Sequence, residues 1–215
     1  MADYKLILGN KRYSSWSLRG WLLARLAGID CKEVVIPLRQ ADTRARILEY
    51  SPAGKVPTLM IDGEAVWYSL AIAETLAECF PDKGLWPADP GARRLARSLA
   101  AEMHSGFPAL RSSLPMDLGA QYPRHAITPE VEADICRMQT IWRDCRQRYG
   151  SGGAFLFGEF CIAAAFYAPV VTRFRTYDVK LDEVCEAYCR SVVENAWMKE
   201  WAAAAAKETW IIDFG

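Results

Sequence analysis

The stretch Tyr4-Lys5-Leu6-Ile7-Leu8-Gly9-Asn10-Lys11-Arg12-Tyr13-Ser14-Ser15-Trp16-Ser17-Leu18-Arg19-Gly20-Trp21-Leu22-Leu23-Ala24-Arg25-Leu26-Ala27-Gly28 decides the fold. Tyr4–Leu8 favours a strand, and Gly9 to Ser15 is rich in turn formers. Leu18, Trp21, Leu22, Leu23, Leu26 and Ala27 then recur at helical spacing, and Gly28 follows as a helix-ending glycine. Lys32–Leu38, with Val34-Val35-Ile36 inside it, reads as a second strand. Strand, helix and strand in this order mean two parallel strands joined by a right-handed crossover.

Outward from that unit, Thr43–Tyr50 is a short helical stretch and Ser51-Pro52-Ala53-Gly54-Lys55 a turn. Val56–Ile61 reads as a third strand, opened by Pro57 where a missing N–H is tolerated. Asp62-Gly63 is a hairpin turn into a fourth strand, Glu64–Trp67. Ser69–Cys79 is helical, with Leu70, Ile72, Ala73, Leu76 and Ala77 on one stripe. Pro81–Gly91 breaks every pattern. Beyond it Ala92–Leu114 and Pro129–Tyr149 read as long amphipathic helices, followed by helices near Ile162–Arg175, Leu181–Val193 and Ala196–Ala206. The expected fold class is therefore α/β followed by all-α: residues 1–80 as a βαβ-ββα domain, 81–91 as linker and 92–215 as a helical bundle.

Composition excludes several classes. Lys and Arg number 26 and Asp and Glu 26, so the formal charge is zero, which argues against nucleic-acid binding by counterion release. The longest apolar run, Phe160–Val171, contains Pro169 and is too short to cross a bilayer. The opening residues lack an export-signal layout, so a cytoplasmic protein that binds neither membrane nor nucleic acid is expected. The 7 cysteines form no CxxC pair and only 2 histidines are present. Free thiols and no metal site are the expectation.

Three local patterns remain: Tyr13-Ser14-Ser15-Trp16-Ser17-Leu18-Arg19 where strand hands over to helix, Ser51-Pro52-Ala53-Gly54-Lys55-Val56-Pro57 before the third strand, and Tyr68-Ser69-Leu70-Ala71-Ile72 at a helix start. With the linker and the helical half, they resemble the cytosolic glutathione transferase superfamily over nearly the whole chain. Ser14 to Arg19 is most similar to the Ser-Ser-Cys-Ser-Trp-Arg signature of the zeta, maleylacetoacetate isomerase-like class, with Trp16 in place of the cysteine. The resemblance implies a thioredoxin-like glutathione-binding domain, a helical domain lining an electrophile site, and a homodimer. It also implies glutathione as co-substrate, a small electrophile as the other partner, and a detoxification role.

The chemistry required is thiol activation. A free thiol titrates near pH 8.5, and lowering that by about 2 units takes about 2.7 kcal/mol of preferential thiolate stabilisation. A hydroxyl donating to sulfur at a helix N-terminus supplies energy of that order. Ser14 is the first candidate donor, then Ser15 and Ser17; alternatively these serines merely cap the helix. Tyr13 is a competing donor, because some classes use a tyrosine near the first strand.

The resemblance further implies a cis Val56–Pro57 bond whose valine offers its backbone to the tripeptide. Lys55 is a candidate partner for a glutathione carboxylate, and Ser69, at a helix N-terminus, for the γ-glutamyl carboxylate. Tyr68 stands where the family has an acid that pairs with the γ-glutamyl ammonium. Trp16, His104, Phe107, Arg173 and Arg175 are candidates for the electrophile site, an arginine in that region suiting a substrate carboxylate. Cys161 and Ala164 replace both members of the family's capping box, which predicts a less stable helical half. The alternative to an enzyme is a glutathione transferase-like binding or stress protein with little turnover.

Overall fold

A computed structural model describes residues 2–123 and 125–213. Met1, Arg124, Phe214 and Gly215, which fall within the expected 1–80 and 92–215 units, lie outside the described residues. The first unit runs β1 (Tyr4–Leu8), α1 (Ser15–Ala27), β2 (Lys32–Val35), α2 (Thr43–Leu48), β3 (Thr58–Ile61), β4 (Glu64–Trp67) and α3 (Ser69–Cys79). The strands form one sheet in the order β2-β1-β3-β4. β1 and β2 are parallel, with Leu6 opposite Glu33, while β3 pairs antiparallel with both β1 and β4. This is the thioredoxin-like arrangement, and it places the β1–α1 junction beside the loop that enters β3.

The second unit is helical: α4 (Pro90–Ser105), α5 (Pro108–Ser113), α6 (Pro129–Tyr149), α7 (Ile162–Thr176), α8 (Glu183–Glu194) and α9 (Ala196–Ala205). The expected single helix Ala92–Leu114 is broken. Gly106 is extended and Phe107 sits at φ 61°, because Pro108 opens α5 and disfavours helical backbone in the residue before it. The break redirects α5 so that the Arg111 guanidinium donates back to the carbonyls of Met103 and His104, the last turn of α4. β2 and β3 are also shorter than the sequence suggested, with Ile36 buried beyond the last paired residue of β2.

One apolar core runs through both units. Leu6, Leu18, Leu22 and Leu59 join Ile72 and Leu76 of α3, and the cluster continues into Trp142, Phe166, Tyr167, Phe174 and Trp201. α7 is its spine, buried along nearly all its length. The loop before α1 is clamped by the helical half. The Lys11 and Arg12 amides donate to the Glu208 carboxylate, and the Lys11 carbonyl accepts from Trp201 at 2.9 Å. Arg12 grips Asp117 through two bonds of 2.6 and 3.1 Å.

Candidate active site

The site begins at the start of α1. Ser14 is its N-cap (φ −87°, ψ 93°), and its oxygen accepts the Ser17 amide at 3.2 Å. The Ser14 hydroxyl donates to Ser17 Oγ at 2.8 Å, and Ser17 Oγ in turn accepts the Gly9 amide at 2.8 Å. The two serines are therefore bonded to each other and tie the helix start to the end of β1. Ser15 differs. Its oxygen accepts one bond, from Arg173 Nη2 at 3.2 Å, and among the described residues nothing accepts its hydrogen.

Pro57 follows a cis bond from Val56 and is buried against α1. Gly20 permits that contact, since a Cβ there would fall 2.6 Å from Pro57 Cβ. Tyr68 caps α3 with backbone only, at φ 66°, and its half-exposed ring meets the His104 ring edge-on at 6.1 Å. Ser69 is 0% exposed and its hydroxyl has no partner. No acidic residue lies in the first turn of α3. Its free amides and unpartnered hydroxyl form a seat for an anion.

Three guanidiniums complete the surroundings: Arg19 one turn further along α1, Arg111 on α5 and Arg173 on α7. Arg19, only 1% exposed, lies between the Trp16 and Phe166 rings at 4.5 and 5.2 Å, and its Nε and Nη1 are unpartnered. Arg111 lies 4.8 Å from the Trp16 ring centre, with its Nε unpartnered. All three nitrogens of Arg173 have acceptors: the carbonyls of Leu114 and Pro169 at 2.8 and 3.1 Å, and Ser15. Burial, and then mutual repulsion, pushes the Arg19 and Arg173 guanidiniums below their usual range, Arg173 to about 10. Burial lowers Arg111 too, against the attraction of Asp134, whose carboxylate accepts the Leu110 amide. Among the described residues no carboxylate is paired with any of the three. His104 packs edge-on against Trp16 at 5.1 Å. Burial first, and then Arg19 and Arg111, push its pKa down, so it stays neutral.

The structure thus gathers Ser14, Ser15, Trp16, Ser17, Tyr68 and His104 with Arg173 around the start of α1, and packs Pro57 against the same helix. It leaves Arg175 out. That residue is exposed and lines a separate cavity of about 490 Å³ with Asp178, Glu186 and Cys189. Residues two positions apart on a helix point about 160° away from each other around its axis, so Arg173 and Arg175 face different sides of α7. The Lys55 side chain is exposed, with no ion-pair partner among the described residues. Phe107 is buried at the α4–α5 break, where it shapes the turn. Tyr13 is also buried, under the Arg12 guanidinium at 5.1 Å. Burial pushes the Cys31, Cys145, Cys161, Cys185 and Cys189 thiols up to about 11–12, which leaves them unreactive at neutral pH. Sequence reading missed Arg19 and Arg111. Arg19 had a signal, three residues after Trp16 and four before Leu23 on the buried face of α1.

A thioredoxin-like domain followed by a helical domain, with a serine junction, a proline loop and a third helix start converging, defines the class. The glutathione S-transferase N-terminal domain family matches residues 13–79. A glutathione transferase homologue from Burkholderia, solved with bound glutathione, superposes with a TM-score of 0.69 at 21% identity, over 95% of this chain and 98% of that one. A probable maleylacetoacetate isomerase of Caenorhabditis elegans is 34% identical over 176 residues, 78% of this chain and 80% of that protein. The maleylacetoacetate isomerase of Dictyostelium discoideum is 31% identical over 211 residues, 87% of this chain and 94% of that one. The chain belongs to the cytosolic glutathione transferase superfamily, on its zeta-like, maleylacetoacetate isomerase side.

Proposed function

We propose that the protein is a glutathione-dependent isomerase or transferase acting on a small unsaturated acid. Ser15 stabilises the glutathione thiolate by donating its hydroxyl hydrogen to sulfur. The N-terminus of α1 adds its favourable field, worth about 0.3–1 kcal/mol when exposed and up to about 2 kcal/mol when partly buried. A hydrogen bond to a charged group contributes about 1.5–3 kcal/mol more. Together these reach the stabilisation that thiol activation requires. The Ser69 hydroxyl and the α3 amides receive a carboxylate of the tripeptide, and the Val56 backbone, entering β3, pairs with its extended chain.

The observation that carries the substrate class is the uncompensated charge of Arg19 and Arg111 beside Trp16. A buried cation without a counter-ion is costly, and an anionic electrophile supplies one. The thiolate adds to the conjugated double bond, forming C–S and moving the π pair onto the acid as an enolate. The new single bond rotates. The enolate then re-forms the double bond and expels the thiolate, so nothing is consumed in an isomerisation. Protonation of the enolate instead gives the conjugate of a transferase.

Titration with millimolar glutathione, followed by assay on a maleyl-type unsaturated acid, tests this reading. Saturable binding with turnover of the acid is expected; no binding would sink it. A second reading, a binding protein with little turnover, is favoured by Tyr68 in the α3 cap. It predicts binding without thiolate absorbance near neutral pH, and no gain from Tyr68→Glu. A cytoplasmic homodimer belongs to the same proposal, and light scattering of the purified protein checks its dimeric part.

A further inference from the structure

We infer that Arg173 is a positioning residue for Ser15, setting the acidity of its hydroxyl, and is not a direct anchor for the substrate. The inference rests on the reading of Ser15 as the sulfur donor. Arg173 stands on α7 at 5% exposure, and its Nε and Nη1 each donate one bond, to the Leu114 and Pro169 carbonyls. These two bonds fix the plane of the guanidinium, and the fixed plane aims Nη2 at Ser15 Oγ, 3.2 Å away. A hydroxyl that accepts a hydrogen bond from a cation is polarised and becomes a stronger donor through its own hydrogen. Ser14 cannot take this role, because its hydrogen goes to Ser17 Oγ and its oxygen to the Ser17 amide. The two adjacent serines therefore divide the work: Ser14 builds the helix start, and Ser15, backed by the helical half, faces sulfur. The Ser15–Arg173 bond also links two residues 158 positions apart, so thiol activation requires the helical unit to be seated on α1.

A thiol placed at position 15 reads the effect without glutathione. In Ser15→Cys, the pH dependence of alkylation at that residue, followed by peptide mass spectrometry, should give a thiol pKa at least about one unit below the ordinary 8.5. Adding Arg173→Gln should raise it by about one unit. An unmoved value overturns the inference. Since Arg173→Gln strips two buried carbonyls of their donor and risks the fold, Ser14→Cys provides a comparison with Arg173 intact. Its thiol, at the same helix end but without the guanidinium, should titrate higher than the one at 15; equal or lower overturns the inference. In the glutathione-bound enzyme, Arg173→Gln should shift the pH profile of kcat/KM upward and lower kcat. A rise confined to KM for the acid electrophile, with the pH profile unmoved, would mean that Arg173 holds the substrate instead. Loss of glutathione binding in the wild type would end the functional reading, yet the acidity of a thiol at 15 would still be measurable.

Discussion

The starts of α1 and α3 both border the site, and they are finished in opposite ways. At α1 a side chain supplies the cap: Ser14, Ser17 and Gly9 exchange bonds among themselves, and among the described residues nothing accepts the Ser15 hydroxyl hydrogen. At α3 Tyr68 contributes no side-chain cap, and the Ser69 hydroxyl is fully buried without a partner. A closed helix start holds a reacting group in place, whereas an open one holds a seat for an anion. Under the proposed function, catalysis falls to the first of these two neighbouring helix ends and binding to the second.

The largest test of that contrast is Ser15→Ala, which should lower kcat/KM about 100-fold, the usual cost of one donor at a developing anion. Equal losses from Ser14→Ala and Ser15→Ala would erase the division between them. Next, Ser69→Ala should weaken glutathione about 10-fold with kcat little changed, because it removes a charge-assisted bond in the ground state. A fall in kcat with unchanged affinity would move α3 into the chemistry.

His104 sharpens the comparison from the side of charge. Its folded pKa is pushed below the ordinary 6.5, by burial first and then by Arg19 and Arg111, so the unfolded chain binds the proton more readily. Stability from this residue is complete above about pH 6.5 and falls as the pH drops toward the folded pKa. Urea midpoints between about pH 7.5 and 5 should decline more in the wild type than in His104→Gln. Parallel declines would mean that the ring titrates normally.

The smallest effect concerns a third helix start. Cys161 caps α7 without an oxygen, although the Ala163 and Ala164 amides point at its sulfur. Cys161→Ser should stabilise the protein by about 0.5–1 kcal/mol in denaturant unfolding, the low end of a cap's worth. No gain would show that core burial of α7 already compensates for the missing cap.

The β–α–β unit was legible because strand and helix periods differ, and the serine junction because serine favours a strand-to-helix turn, although capping and sulfur donation read alike there. The anion seat at Ser69 was legible only through resemblance. Arg111 was not, since the break at Gly106–Pro108 that aims it inward looks, residue by residue, like a continuing amphipathic stretch. Arg19 was signalled only by its spacing on the apolar face, against the ordinary habit of an arginine to extend its charge to water. Here aromatic faces of Trp16 and Phe166 hold it instead. Arg173 stood only slightly ahead of Arg175 in one dimension, and the burial of α7 separates them.

Ultraviolet titration of the thiolate of bound glutathione tests the central claim most directly. The wild type and Ser14→Ala should ionise bound glutathione near neutral pH, with Ser15→Ala moved up by about 2 units toward the free thiol. If Ser15→Ala ionises it as the wild type does, while Ser14→Ala does not, the assignment of the sulfur donor is contradicted.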